Sequence, residues 1–346
     1  MCIRDRPATT SVQFRSVVTV VATGEICLTR MPIGAPGPRE VAGSTLASLI
    51  SPGTELAWAF QQDCADRLPL ELGYASVFRV DAIGADVHSI SVGDVVLSTG
   101  PHADWQVLPE DHVVRVPSDL DSRVAVFARL MNVPLSVLHV SSAPHGGDAL
   151  VIGLGLIGQC MVRVLERVGF AVTAVDDDPK RRSLAPVLSS ALNGVTPDSA
   201  DLVIDCTGQD SRVLDAARAA RQGGELVLAG VPWRPRAGAP IFDLSRAIFD
   251  KSLTVHSGFE WQVPLMKDIR AGRSDARDQM SRALRWLADG QIDVNGLAAR
   301  ILPAEVIGAY ESLRARTAPT LSYVVDWSMT DDIIPATRLY HAGNIN

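Results

Sequence analysis

What the chain has little of narrows its class before any motif is read. Cysteine occurs five times in 346 residues, at 2, 27, 64, 160 and 206, without a Cys-x-x-Cys pair and in an odd number. Wide, odd spacing excludes a disulfide framework and leaves Cys160 and Cys206 as small buried hydrophobes. Positive charge is scarce, with 32 Lys and Arg against 39 Asp and Glu and a net charge of −7. With aromatics at 5% and no Lys/Arg cluster interleaved among them, there is no footprint for nucleic acid. The greasiest segment, Val124–Val140, is broken by Arg129, Asn132, Pro134 and His139. It falls short of the roughly 18 uninterrupted apolar residues that a membrane span needs and reads as a buried helix joining two domains. The first fourteen residues show no hydrophobic signal region and no cleavage site, and are set aside as a leader outside the fold. Residues 328–346 lack a clear period and read as an appendage. A cytoplasmic protein is expected.

Hydrophobic content of 47% with 21% charged residues describes a globular chain, long enough for two cores. Its most informative stretch is V-I-G-L-G-L-I-G-Q, Val151–Gln159. A β-branched run at Leu150–Ile152 leads into glycines 153, 155 and 158, and an apolar stripe follows at Ile157, Met161, Val164, Leu165 and Val168. Strand, tight turn and helix are the dinucleotide-binding fingerprint. Gly153 permits the turn, Gly155 admits a pyrophosphate to the backbone, and Gly158 lets the helix pack on the strand. Leu156 and Ile157 open the helix, whose unpaired N–H groups and partial positive charge face the phosphates. Asp176 ends the next strand, 23 residues after Gly153, where a carboxylate meets the adenosine ribose hydroxyls. A 2′-phosphate about 4 Å from that carboxylate meets a repulsion of roughly 1–4 kcal/mol, which favours NAD over NADP. Lys180, Arg181 and Arg182 offset part of it, or one of the three covers the adenine, and Arg181 is taken as a cofactor contact.

From Ser16 to about Leu120 the signals are β: Val17–Val21, Val41–Ile50, Val77–Ile83, Asp94–Ser98 and Trp105–Leu108, separated by Pro and Gly. From His145 strands alternate with helices. Strands are expected at Leu150–Ile152, Ala171–Val175, Asp201–Asp205, Glu225–Ala229 and Leu253–His256, and helices at Ile157–Val168, Ser211–Ala220, Leu244–Phe249 and Arg277–Ala288. The alternation implies an α/β fold with a doubly wound parallel sheet. A strand near Ala298–Leu302, a helix from Ala304 to Arg314 and a strand Leu321–Trp327 return to the first domain. The expected domains are 15–143 (β-rich), 144–290 (dinucleotide-binding) and 291–327 (the return).

Between Ser16 and Trp327 a series of markers appears in order: S-P-G-T-E at 51–55, L-G-Y-A at 72–75, I-G-A-D-V at 83–87, V-G-D-V-V at 92–96, G-P-H-A-D-W at 100–105 and V-P-S-D-L at 116–120. The glycine fingerprint, D-C-T-G at 205–208 and G-G-E-L-V-L-A-G at 223–230 follow. The whole resembles the medium-chain dehydrogenase/reductase superfamily, the alcohol dehydrogenase-like proteins. That resemblance implies a GroES-like β-rich catalytic domain beside a Rossmann domain, with the active site between them. The S-P-G-T-E and G-Y pair resembles the subgroup of the bacteriochlorophyllide hydroxyethyl dehydrogenase, although Ala75 and Phe78 depart from its usual pattern.

Departures from the zinc members carry equal weight. Their catalytic Cys position is Pro52 here, their His–Glu pair falls on Tyr74 and Ala75, and the four-cysteine zinc lobe is missing. Without thiolate and imidazole no tetrahedral site forms. Glu55 and His102 could in principle ligate a metal, but the ligand set that zinc prefers is not assembled around them. The expectation is NAD without zinc, no metal ligand at all, and a small-molecule substrate, in a possible homodimer with neither nucleic acid nor membrane span.

Without a metal, a hydrogen-bond donor must polarise the substrate oxygen. Thr54 matches the superfamily's relay hydroxyl, or caps a helix starting at Glu55. Tyr74 offers a phenol, or is a packed strand aromatic. His102 lies in a loop near the cleft and suits acid–base work, or is merely exposed. Glu260 and Trp261 flank the last strand and shape the pocket. The nicotinamide is expected against Thr207–Gly208, Gly230–Val231 and Ser257–Gly258, the carboxyl edge of the sheet, unless these are ordinary strand-end turns. Three functions stay open: a zinc-free NAD-dependent dehydrogenase, a zinc-free NADPH quinone or enoyl reductase, and a non-catalytic NAD(H) sensor or scaffold.

Overall fold

The computed structural model describes residues 13–61, 66–191, 194–233, 241–262 and 275–329. Six parallel strands form one sheet in the order Ser189–Ser190, Ala171–Val175, Asp148–Ile152, Ala200–Asp205, Ala220–Leu228 and Thr254–Ser257. Numbered within this sheet the order is 3-2-1-4-5-6, the doubly wound arrangement whose direction reverses between the first and fourth strands. These strands are nearly continuous in Val, Ile, Leu and Ala because helices cover both faces. Leu156–Arg167 buries Cys160, Met161, Val164 and Leu165, and Asp210–Ala219 buries Leu214, Ala216 and Ala217.

The β-rich half is built on Glu40–Leu49, which pairs antiparallel with Ser76–Ile83, Trp105–Pro109 and Ser322–Asp326. Ala298–Ile301, Val95–Ser98 and Val113–Arg115 complete that seven-stranded sheet. A smaller sheet joins Gln13–Ala22 to Glu25–Ile33 and Leu70–Glu71. Glu25–Ile33 and Val113–Arg115 escape the sequence pattern, since Pro32 demotes the first and the second is three residues long. The first sheet strand begins at Gln13, inside the stretch 1–14 set aside from the fold. Residues 1–12 and 330–346 lie outside the described residues, and so do Cys2 and Cys64.

Three short helical pieces, Ser122–Ala125, Phe127–Leu130 and Asn132–Val140, link the halves. By length and hydropathy alone Ser122–Val140 could cross a membrane, but 72% of its most apolar window is buried inside the protein. Ala125, Val126, Phe127, Leu130 and Met131 share one core with Ala47, Leu49, Val77 and Leu97 of the β-rich sheet. Cys160 and Val164 of the fingerprint helix, and Met280, Ala283 and Leu284 of Ala276–Ala288, belong to the same cluster. The halves are therefore fused through apolar packing.

Candidate functional site

On the nucleotide side, backbone geometry follows the spacing of the glycines. Gly153 has φ +96° and a Cβ there would lie 2.6 Å from Thr207 Cγ2. A Cβ on Gly158 would lie 1.9 Å from the Gly153 carbonyl oxygen, so helix and strand pack with no room for a side chain. Gly155, the N-cap of Leu156–Arg167, faces open space. Leu156 is buried and Ile157 half-buried, which leaves their amides as the presenting groups. Asp176 is 7% exposed. Its Oδ2 accepts the Leu154 N–H at 2.7 Å and its Oδ1 the Asp178 N–H at 2.8 Å, with Arg181 Nη1 3.6 Å from Oδ2. The carboxylate is thus tied to the glycine turn and keeps lone pairs for a diol. Arg182 is spent on the Asp176 and Asp177 carbonyls.

At the carboxyl edge, Asp205 holds the next turn. Its Oδ1 accepts the Thr207 hydroxyl at 2.6 Å and its Oδ2 the Gly208 N–H at 3.0 Å. Burial pushes this carboxyl above its usual range despite those bonds. Gly230 and Val231 lie against Gly208, and Gly258 N–H donates to the Leu228 carbonyl at 2.8 Å. All three expected loops therefore end neighbouring strands on one edge. Phe259 N–H donates to the Ser257 hydroxyl at 3.2 Å.

On the opposite side the helix Pro52–Phe60 starts earlier than expected, with Ser51 at the N-cap and Pro52 at its first position. Thr54 is half-buried inside the first turn and caps nothing, which corrects the expectation of a helix starting at Glu55. Glu55 reaches back to accept the Ser51 N–H at 2.6 Å, leaving the Ser51 hydroxyl free of capping duty. That hydroxyl accepts the Tyr74 O–H at 2.6 Å. Tyr74 lies in a bend before Ser76–Ile83 and not in a strand. Its ring is 5.8 Å from that of Trp58. Burial first, and the Glu260 charge second, hold the phenol well above its ordinary pKa, so it keeps its proton at neutral pH.

His102 departs from the expected cleft-facing loop imidazole. It is fully buried. Nδ1 is 2.7 Å from Ser48 Oγ and Nε2 is 2.9 Å from Glu55 Oε2. Trp327 Nε1–H donates to the same Ser48 oxygen at 2.9 Å, and the Glu55 carboxylate, which can only accept, takes its hydrogen bond from His102 Nε2–H. The Tyr310 hydroxyl donates to Glu55 Oε2 as well. The imidazole thus fastens the start of the helix to the returning segment through a fully satisfied buried network.

Ser51, Ser48 and Tyr310 were not singled out by sequence. Tyr310 lies 255 positions from Glu55, and no spacing rule joins them. Arg129 did carry a signal, a guanidinium inside an otherwise apolar run. It is 1% exposed and pairs with Glu260, Nη1 to Oε2 at 2.5 Å.

The donor set here is a poor fit for zinc. Pro52 has no side-chain ligand atom, the Tyr74 hydroxyl is engaged with Ser51, and both His102 nitrogens have partners. The Arg129 guanidinium lies 5.0 Å from the Tyr74 ring, a cation beside the place a second cation would take.

No protein-family model matches the chain. Curated relatives and solved structures do. Glucose 1-dehydrogenase 1 of Caldivirga maquilingensis is 29% identical over 227 residues, 53% of this chain and 64% of that protein, so the chain spans less than two thirds of it. A Mycobacterium tuberculosis protein named a probable zinc-binding alcohol dehydrogenase is 23% identical over 355 residues, covering 88% of this chain and 87% of that one. A Sinorhizobium meliloti 1021 protein assigned as a zinc-binding dehydrogenase, solved with NADP, superposes with a TM-score of 0.72 at 20% identity over 91% of this chain and 99% of its own. At that identity the superposition speaks for the fold. The two halves together have the architecture of alcohol dehydrogenase-like enzymes. In sequence the chain is similar to proteins named as dehydrogenases, and it shares the fold of solved dehydrogenases.

Proposed function

We propose that this chain is an NAD(H)-preferring dehydrogenase that works without catalytic zinc on a hydroxyl/carbonyl carbon, or an activated alkene, of a small or medium organic molecule. The observation that carries the reading is the Tyr74–Ser51 hydroxyl pair, with Tyr74 at one position where the resemblance puts a zinc ligand and Ser51 next to Pro52 at the other. Its zinc-free part stands against relatives named for zinc binding and rests on that donor chemistry.

Gly153, Gly155, Gly158 and the amides of Leu156 and Ile157 would hold the pyrophosphate, and Asp176 the adenosine ribose. Thr207–Gly208, Gly230–Val231 and Ser257–Gly258 would hold the nicotinamide, which when bound supplies or takes up the hydride. The protein's own part is the oxygen. As a carbonyl is reduced, negative charge gathers on its oxygen, and a preorganised O–H donor stabilises that charge more than it does the ground state. Tyr74 holds its proton and gives its hydrogen bond to Ser51. Ser51 Oγ has no acceptor for its own proton among the described residues, so the pair can pass one hydrogen bond onward to a substrate oxygen. Thr54, half-buried one turn along, is the third hydroxyl of this group. Asp176 supports the NAD preference, while Arg181 beside it leaves an NADPH reductase as the second reading. The same reading takes the protein as cytoplasmic, with a homodimer to be tested by light scattering.

NADH titration followed by fluorescence, then turnover on aldehydes, ketones, quinones and enones, tests it. Tight binding with no turnover on any of them would favour a nucleotide sensor.

A further inference from the structure

A buried cation marks the junction of the two halves. The Arg129 guanidinium lies between two rings, 5.0 Å from the centroid of Tyr74 and 4.9 Å from that of Trp261. Both of its terminal nitrogens go to one carboxylate, Nη1 to Glu260 Oε2 at 2.5 Å and Nη2 to Oε1 at 3.3 Å. Its Nε has no partner among the described residues. The three contributions come from separate parts of the fold. Arg129 sits in the joining helices, Tyr74 in the bend before Ser76–Ile83, and Glu260 and Trp261 in the turn that follows Gly258.

A buried ion pair is a weak source of stability, because desolvation consumes most of the Coulomb gain and apolar side chains of similar volume do as well. Its position suggests another use. A cation over an aromatic face is attracted by the ring and fixes its plane. Placed over a phenol, it also favours loss of the proton, while a carboxylate beside the same phenol opposes it. The charged groups facing Tyr74 are Arg129, Glu260 and, through Ser51, Glu55.

We propose that Arg129 is a positioning residue for the Tyr74 phenol, and that Glu260 is its counter-ion, carried in on the nucleotide-binding half. The pair holds the ring against Trp58 with its hydroxyl on Ser51, and the Glu260 charge offsets a guanidinium that would otherwise favour ionisation of the buried phenol. Because Glu260 follows the Ser257–Gly258 loop, Tyr74 is set only when the two halves are together. This rests on the reading of Tyr74 as the oxygen-side donor.

The test is NMR of the full chain carrying ¹³Cζ-tyrosine. There are four tyrosines, and Tyr74→Phe assigns the resonance. In the wild type the Tyr74 phenol should stay protonated past the ordinary tyrosine midpoint of about 10. Glu260→Gln should lower its midpoint by about 1 unit or more, since an uncompensated guanidinium then faces the ring. Glu260→Gln with Arg129→Lys should keep nearly all of that fall, and Glu260→Gln with Arg129→Met should give a smaller one, because the Glu260 charge raises the phenol more than the guanidinium lowers it. The last variant buries no charge, so it is the one expected to fold without penalty, and circular dichroism checks each. An unchanged midpoint in Glu260→Gln, or an equal fall in the Met double variant, overturns the proposal. Turnover of Tyr74→Phe is read separately. If it matches wild type, the catalytic reading of Tyr74 fails while the titrations still decide the role of Arg129.

Discussion

In the nucleotide-binding half, the groups of the phosphate turn lie within six residues of one another, Gly153 to Gly158, with Asp176 closing the turn from the next strand. Around Tyr74, the groups come from Ser51 and Trp58 of the β-rich half, from Arg129 of the joining helices and from Glu260 beyond the last strand of the nucleotide-binding half. One side is fixed by backbone conformation and close approach, which tolerate few alternatives. The other is fixed by side chains meeting across long stretches of chain, and such contacts can be exchanged without rebuilding the fold.

The largest effect should come from the side-chain half. Tyr74→Phe and Ser51→Ala should each lower kcat by roughly 10²–10³-fold, the range found on removing one donor to a developing oxyanion. Dissociation constants for NADH, measured by fluorescence, should stay within a factor of about two, because uniform binding is untouched. Comparable losses of affinity and rate would erase the distinction between the halves.

Gly158→Ala strikes the backbone half. A Cβ 1.9 Å from the Gly153 carbonyl forces the helix from the strand, and overpacking of this kind costs about 1–3 kcal/mol. Thermal unfolding should show a lower Tm, and NADH affinity should fall with it. Asp176→Ala should move preference toward NADPH by about tenfold or more, measured as the ratio of kcat/KM with the two cofactors. An unchanged ratio would mean that Arg181 already neutralises the site.

The smallest effect lies away from the cleft. Glu110 accepts the Ser89 hydroxyl at 2.6 Å and the His88 N–H at 2.9 Å, and bonding to Ser89 pulls its carboxyl from 4.5 down to about 2. A depressed folded-state pKa stabilises above the unfolded value, so this contribution is complete above about pH 4.5 and is lost as pH falls toward 2. Glu110→Gln should therefore cost about 1–2 kcal/mol at pH 7, and the difference from wild type should close through that window in denaturant titrations.

The unequal legibility of the two halves has the same origin. Ala171–Val175 was read to the residue and the fingerprint helix to within one, because buried parallel strands and an amphipathic helix print their periods in sequence. Tyr74 and Thr54 were found by register, but the bend holding one and the earlier helix start enclosing the other were not. Ser51 disappeared behind Thr54 because either can follow the pattern of a helix cap. His102 was expected in the cleft, and its burial depends on Glu55, Ser48 and Trp327, which only the folded sheet brings together.

The most direct test of a zinc-free hydride-transfer site is elemental analysis combined with turnover on one preparation. After exhaustive chelation and gel filtration, the purified chain should carry only trace zinc and still oxidise NADH with its best carbonyl substrate at an undiminished rate. Stoichiometric zinc in the untreated protein, with activity lost to the chelator and restored by zinc alone, would contradict it.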